Sequence, residues 1–140
     1  HGVDADMFMC LQTLEHLPDP IQFLKGLANN TTCKVLTVTV PYLARSRVGL
    51  HHIRQSRRET VNPENTHLFE LSPEDWKLVF KHSGWRLEKE RIYLQYPRRG
   101  PLRLMKGIWK KTDFEGFYGV LLTKDPSWSD LYTGWPNGSG

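Results

Sequence analysis

Residues Lys34 to Val40 (KVLTVTV) constrain this chain more than any other stretch: they are β-branched, alternating and followed by Pro41, which is expected to stop the strand. An equally clear helix start lies just upstream. Asp19 suits an N-cap and Pro20 the first helical position. From there Ile21, Leu24, Leu27 and Ala28 fall on one face, and Asn29-Asn30 ends the helix. Before it, Val3 to Leu11 is an apolar run introduced by acids, which reads as a buried strand. Strand, helix and strand at such short spacing predict a layered α/β sheet.

The second half repeats the grammar with a difference. Ser72-Pro73-Glu74-Asp75 opens another helix, with a capping hydroxyl and two acids in the first turn where the helix dipole favours them. Trp76, Val79 and Phe80 form its predicted buried stripe, and Gly84 its stop. Trp85 to Tyr96 and Phe117 to Thr123 then read as strands without a helix between them, so an antiparallel pairing at one edge is expected. Arg45 to Asn65 has no clean period and reads as a long loop or a short irregular insertion, of the length that often carries function. The tail after Pro126 is expected to be loosely ordered.

Composition narrows the classes. At 140 residues, 39% hydrophobic but with five Trp and six Phe, the chain can build one modest core and not two. No apolar run approaches the roughly 20 residues needed to cross a bilayer, and no basic-then-apolar leader is present, so a cytoplasmic protein without membrane contact is expected. Cys10 and Cys33 lie in or beside strand-like stretches and are expected to be buried free thiols; without a CxxC, no structural zinc site is expected. The net charge of +4 is concentrated. One acid-free segment holds Arg45, Arg47, His51, His52, Arg54, Arg57 and Arg58; another holds Arg98, Arg99, Arg103, Lys106, Lys110 and Lys111. Arg clusters suit phosphate, carboxylate or nucleic acid, or else form an ordinary solvated surface.

The phrase Leu14-Glu15-His16-Leu17-Pro18-Asp19-Pro20 directly after the first strand is similar to the LEHLPDP-type turn of class I S-adenosylmethionine-dependent methyltransferases. The likeness continues in order: a VTVPY-like strand at Val38 to Tyr42, an H-x-F-x-x-S-P-E-x-W segment from His67 to Trp76, and a closing Ser83-Gly84-Trp85. It spans roughly residues 3 to 124. It implies the C-terminal half of a Rossmann-like methyltransferase: a mixed sheet with flanking helices whose antiparallel last strand, here Phe117 to Thr123, inserts between its two predecessors. The expected organisation is one partial α/β domain over residues 1–126, with basic insertions at about 43–66 and 97–115, and a flexible tail over 127–140. Glycines are scattered, and the glycine-rich cofactor turn of the family does not occur in these residues.

By that resemblance S-adenosylmethionine is the cofactor, with Cys10, Leu11, Gln12 and His16 along it. His16, His51, His52 and His67 are the candidate bases, since imidazole titrates near neutrality and methyl transfer to a hydroxyl or amine needs a proton removed; the sequence singles out none, His51 and His52 read more readily as exposed loop residues, and His16 and His67 are taken as the catalytic candidates. Local packing or capping is the competing role for His16, and local hydrogen bonding is the expected role of Glu15. Substrate selection in the family falls to the two basic insertions, here Tyr42, Arg45, Arg47, His51, Arg98 and Arg99. An anionic small molecule is expected there in preference to nucleic acid. Trp76 and Trp85 are expected in the core. Some family members hold a metal on a Glu-x-x-Glu-His pattern plus a later His; the first position here is Gln12, a poor ligand for a hard cation, so no metal is expected. Two functions compete: methyl transfer by a domain that a missing N-terminal half completes, and a non-catalytic module of the same descent that self-associates as a homodimer and binds through its basic face. Both leave an apolar edge to be covered.

Overall fold

The structure, a computed structural model, describes residues 4–48, 66–94 and 116–132. Strand β1 (Met7–Leu11) is followed by a 3-10 turn (Leu14–His16), helix α1 (Pro20–Asn30) and strand β2 (Val35–Tyr42). Two short strands, β3 (Arg47–Val48) and β4 (Phe69–Glu70), pair antiparallel with each other. Helix α2 (Pro73–His82), strand β5 (Trp85–Leu94) and strand β6 (Gly116–Lys124) complete the order. The main sheet runs β1-β2-β6-β5. β1 is parallel to β2, while β6 is antiparallel to both β2 and β5 and lies between them. The last strand therefore inserts between its two predecessors, as expected.

Local chemistry accounts for the helices. The Asp19 carboxylate accepts from Gln22 N–H at 2.8 Å and the Ser72 hydroxyl from Asp75 N–H at 3.3 Å, each satisfying a donor that the first turn leaves free, with Pro20 and Pro73 just inside. Gly84, at φ +90°, ends the turn after α2 in the left-handed region. Both helices cover one face of the sheet. Leu24 and Ala28 of α1 and Trp76 and Phe80 of α2 pack there on Cys10, Leu36, Val38, Val40, Tyr118, Val120 and Leu122. Trp85 closes the layer by donating its indole N–H to Leu24 O at 3.0 Å. Trp76 and Trp85 are both core residues, and Cys10 and Cys33 are buried free thiols.

The structure departs from the sequence expectations at three places. Pro41 does not stop β2: it pairs opposite Phe117 in the ladder. The parallel pairing with β1 ends at Leu11 opposite Thr39, and Thr39 O, on the β1 side, accepts from Gln12 N–H. Residue 41 has the same parity, so its missing N–H faces the side where β1 has ended and no ladder bond is lost. The loop expected from Arg45 contributes a strand, because Arg47 and Val48 find partners in Glu70 and Phe69. Beyond Pro126, Ser129–Leu131 forms a 3-10 turn whose neighbours Trp128 and Tyr132 meet α2: Lys81 Nζ sits 3.6 Å above the Trp128 ring and Tyr132 hydrogen-bonds His82. Residues 133–140 lie outside the described residues. Among the described residues no helix is long and apolar enough to cross a membrane.

Candidate functional site

At the carboxyl end of β1 the chain turns sharply. Gln12 has φ +52°, the left-handed region that a non-glycine residue enters at some cost. Its backbone N–H donates to Thr39 O at 2.9 Å and its side-chain amide to Thr39 Oγ1 at 3.3 Å, so the turn is tied to β2. The 3-10 turn that follows presents Leu14 and Glu15 inward, both fully buried, and leaves His16 at the rim.

Thr66 to Glu70 packs against this turn. Leu68 N–H donates to Glu15 O at 2.6 Å, which fixes the two segments side by side. His16 Nδ1 lies 3.0 Å from Thr66 O; a carbonyl only accepts, so Nδ1 carries the proton and Nε2 is the atom turned toward Glu15, 4.0 Å from Oε1. His67 Nδ1 is 2.8 Å from Glu70 Oε1, and Glu70 also accepts from Arg47 across the β3–β4 pair. Burial pushes the Glu70 carboxyl up, but the hydrogen bonds from Arg47 and His67 outweigh it and hold it below the usual carboxylate range. An ionised Glu70 accepts from Nδ1–H of His67 and leaves Nε2 of that ring as its basic atom. The two imidazoles meet edge to face with centroids 4.9 Å apart.

Glu15 is the anomaly. It is fully buried, and neither carboxylate oxygen makes a hydrogen bond among the described residues. The local side-chain hydrogen bond expected of it is not found among the described residues; its backbone carbonyl accepts from the distant Leu68 N–H instead. Burial raises its carboxyl above the usual range; its own amide and the two imidazoles oppose that rise. One ligand atom from each of Glu15, His16 and His67 lies within 4.8 Å of the others.

Of the residues singled out from the sequence, the structure brings His16, His67 and, through Glu70, Arg47 into one cluster, with Gln12 at its β1 side. Leu11 is exposed there, whereas the Cys10 side chain points into the core and can offer a ligand only backbone. Tyr42 is placed elsewhere, on a cleft of about 520 Å³ between the start of α2 and strands β5 and β6, with Ser72, Lys77, Glu90 and Tyr118. Arg45 is exposed. His51, Arg98 and Arg99 lie outside the described residues. Sequence reasoning missed Glu70 and Thr66; the one available signal was an acid three residues after His67.

Neither a protein-family model nor a curated protein matches the chain. Solved structures do. One is the complex between the Haloferax volcanii Trm112 methyltransferase activator and a protein described as a methyltransferase, with 10% identity and a TM-score of 0.54 over 87% of this chain and 54% of that one. Another is the small RNA methyltransferase HEN1, with 14% identity and a TM-score of 0.51 over 86% of this chain and 14% of that one. A third is an S-adenosylmethionine-dependent methyltransferase from Mesorhizobium loti, with 9% identity and a TM-score of 0.52 over 85% of this chain and 62% of that one. The chain thus has a methyltransferase-type α/β fold and spans little more than half, or less, of the first two chains it matches, and 62% of the third.

Proposed function

We propose that this chain forms the acceptor side of an S-adenosylmethionine-dependent methyltransferase, with the acceptor held against the Glu15, His16 and His67 cluster. The observation that carries the reading is the position of that cluster: it sits at the carboxyl end of a parallel strand in a mixed sheet of methyltransferase topology, where open α/β sheets bind their ligands. The strained backbone at Gln12 supports it, because such turns concentrate where a chain must meet a ligand.

When bound, the cofactor would supply an electrophilic methyl group on a sulfonium. The chain's own residues have two tasks. Leu11 and the Gln12 turn would border the cofactor, with His16 beside them. His67, its Nδ1–H committed to Glu70, is oriented to take a proton from an acceptor hydroxyl or amine at Nε2, and Glu70 stabilises the imidazolium so formed. Arg47 keeps Glu70 ionised for that purpose. An anionic small molecule suits the Arg-rich segments, of which Arg45 and Arg47 are described.

A second reading has its own support. β1 is one of the two edge strands of the described sheet, and Met7, Met9 and Leu11 are 51%, 65% and 52% exposed on the face without helices. That apolar row suits either a completing N-terminal half, consistent with the longer chains of similar fold, or a second copy of this chain in a non-catalytic binding module. The neighbour solved with its activator supports a completing partner.

Calorimetric titration of the 140-residue chain with S-adenosylhomocysteine tests the first reading, and sedimentation the second. Micromolar binding supports methyl transfer. No heat at high ligand concentration, together with a stable dimer, favours the binding module.

A further inference from the structure

We propose that the cleft between the start of α2 and strands β5 and β6 binds a neutral hydroxylated ring, of the sugar or cyclitol kind. At about 520 Å³ the cleft has the size of a small-molecule site. Glu90, Ile92 and Tyr118 reach it from the sheet face that the helices cover. Its lining divides by chemistry. Tyr42, Pro73 and Ile92 supply apolar surface that the rest of the fold leaves only partly covered. The remainder is a polar cluster tied together by hydrogen bonds. Tyr118, a buried core residue, donates its hydroxyl proton to Glu90 Oε2 at 2.6 Å. Lys77 Nζ lies 3.0 Å from that same oxygen and 3.0 Å from Glu74 Oε1. The hydrogen bonds from Tyr118 and Lys77 hold the Glu90 carboxyl below the usual range, so it is ionised and only accepts.

The charges select the class of ligand. Glu74, Lys77, Glu90 and Arg91 sum to zero around the cleft. An anion drawn to Lys77 meets the two carboxylates that already hold it, and a cation drawn to Glu90 must displace that ammonium. A neutral ligand disturbs neither pair. What the pairs leave open is a matched set: Glu90 Oε1 accepts, a third N–H of Lys77 donates, and the Tyr118 oxygen, its own proton given to Glu90, accepts. None of the three has a further partner among the described residues. A hydroxyl both donates and accepts, so neighbouring hydroxyls on one ring satisfy such a set, while the C–H face of the ring rests on Tyr42 and Ile92. Tyr42 thereby serves a ligand other than the anion suited to the Arg-rich segments. The cleft shares no described residue with the Glu15, His16 and His67 cluster, so the inference stands whether or not the chain takes part in methyl transfer.

The test is titration of the isotope-labelled 140-residue chain, without cofactor, with methyl glucoside, myo-inositol, glucosamine and glucuronate, followed by backbone amide chemical shifts. The expected result is saturable shifts confined to residues 42–44, 72–77 and 90–92 with at least one of the two neutral rings. Millimolar affinity is expected, with both charged sugars at least ~5-fold weaker. Glu90→Gln, which loses a charged acceptor, is expected to weaken binding about 10-fold, and Ile92→Ala several-fold through lost ring contact. Lys34→Ala, just before the amino end of β2, leaves binding unchanged. Tyr42→Ala is expected to abolish saturation; since Tyr42 also packs against the core, far-UV circular dichroism checks its fold, and should it unfold, Glu90→Gln and Ile92→Ala still decide. No saturable shift with either neutral ring up to ~100 mM overturns the site. So does equal binding of the charged sugars, or binding that Glu90→Gln leaves unaltered.

Discussion

Two buried tryptophans give this fold a controlled comparison. Trp76 and Trp85 are 0% and 1% exposed and belong to one core cluster, but Trp85 donates its indole N–H to Leu24 O at 3.0 Å, whereas the Trp76 N–H has no partner among the described residues. Replacing either by Phe removes a similar amount of apolar surface, roughly two to three methylene equivalents at about 0.8 kcal/mol each, or ~2 kcal/mol. Trp85→Phe also loses a hydrogen bond, for about 1 kcal/mol more. Trp76→Phe instead removes a buried donor that costs ~1–3 kcal/mol while unsatisfied. The expected outcome is that Trp85→Phe destabilises by ~3 kcal/mol, while Trp76→Phe lies within ~1 kcal/mol of neutral. Urea unfolding followed by far-UV circular dichroism reads this without using tryptophan fluorescence, which the substitutions themselves change. At a slope of about 1–3 kcal/mol per M, Trp85→Phe lowers the midpoint by ~1 M or more, and Trp76→Phe moves it by at most about a third as much. Equal losses for the two variants would refute the reasoning, because they would mean that the Trp76 N–H is satisfied or that the Trp85 hydrogen bond contributes nothing.

Gly84→Ala places a Cβ at φ +90° and 3.2 Å from Ser129 Oγ, so a loss of ~1–2 kcal/mol is expected in thermal unfolding. Gly119→Ala brings a Cβ to 2.7 Å from the Tyr93 ring, which is half exposed and can swing out, so its loss is expected to be smaller, about 1 kcal/mol; a reversed order would contradict the backbone argument. Ser72→Ala removes the acceptor at the start of α2 and is expected to cost ~1 kcal/mol in the same assay. Glu90 is held below the usual carboxylate range by the hydrogen bond from Tyr118 Oη and by Lys77, so its contribution is present above the ordinary value of 4.5 and fades as pH falls through the lowered one. Because the side chain is 43% exposed, Glu90→Gln should cost only ~0.2–1 kcal/mol at neutral pH. That cost should shrink below about pH 4.5, and a cost that stays constant on acidification would show that ionisation plays no part.

How much could be read from the sequence follows from how local each interaction is. The two helix starts were legible because Asp19 with Gln22 and Ser72 with Asp75 are contacts three residues apart. Pro41 was misread because its tolerance depends on where β1 ends, thirty residues upstream, and no local pattern carries that. The position of β6 between β2 and β5 came from the family resemblance, since alternation marks a strand without naming its neighbours. His16 and His67 stood as separate candidates, and what joins them is a hydrogen bond spanning fifty positions, from His16 to Thr66, with a ring contact beside it. Glu70 escaped notice because an acid on a two-residue strand looks like surface until Arg47 and His67 converge on it.

Glu15 is the residue of the cluster that packing alone does not explain. A side chain whose only task was to fill the space beneath the 3-10 turn could be apolar, as its neighbour Leu14 is, and would avoid burying a carboxylate without a donor. Its two flanking imidazoles are each fixed at Nδ1 by Thr66 and Glu70, so the fold itself sets the orientation of both rings beside it. Local conflicts of this kind, where each level of the sequence otherwise agrees with the fold, concentrate at sites of function. Under the proposed function an acceptor hydroxyl or amine seated beside the cluster would give this carboxylate a donor, so substitution at Glu15 is expected to change acceptor binding more than folding.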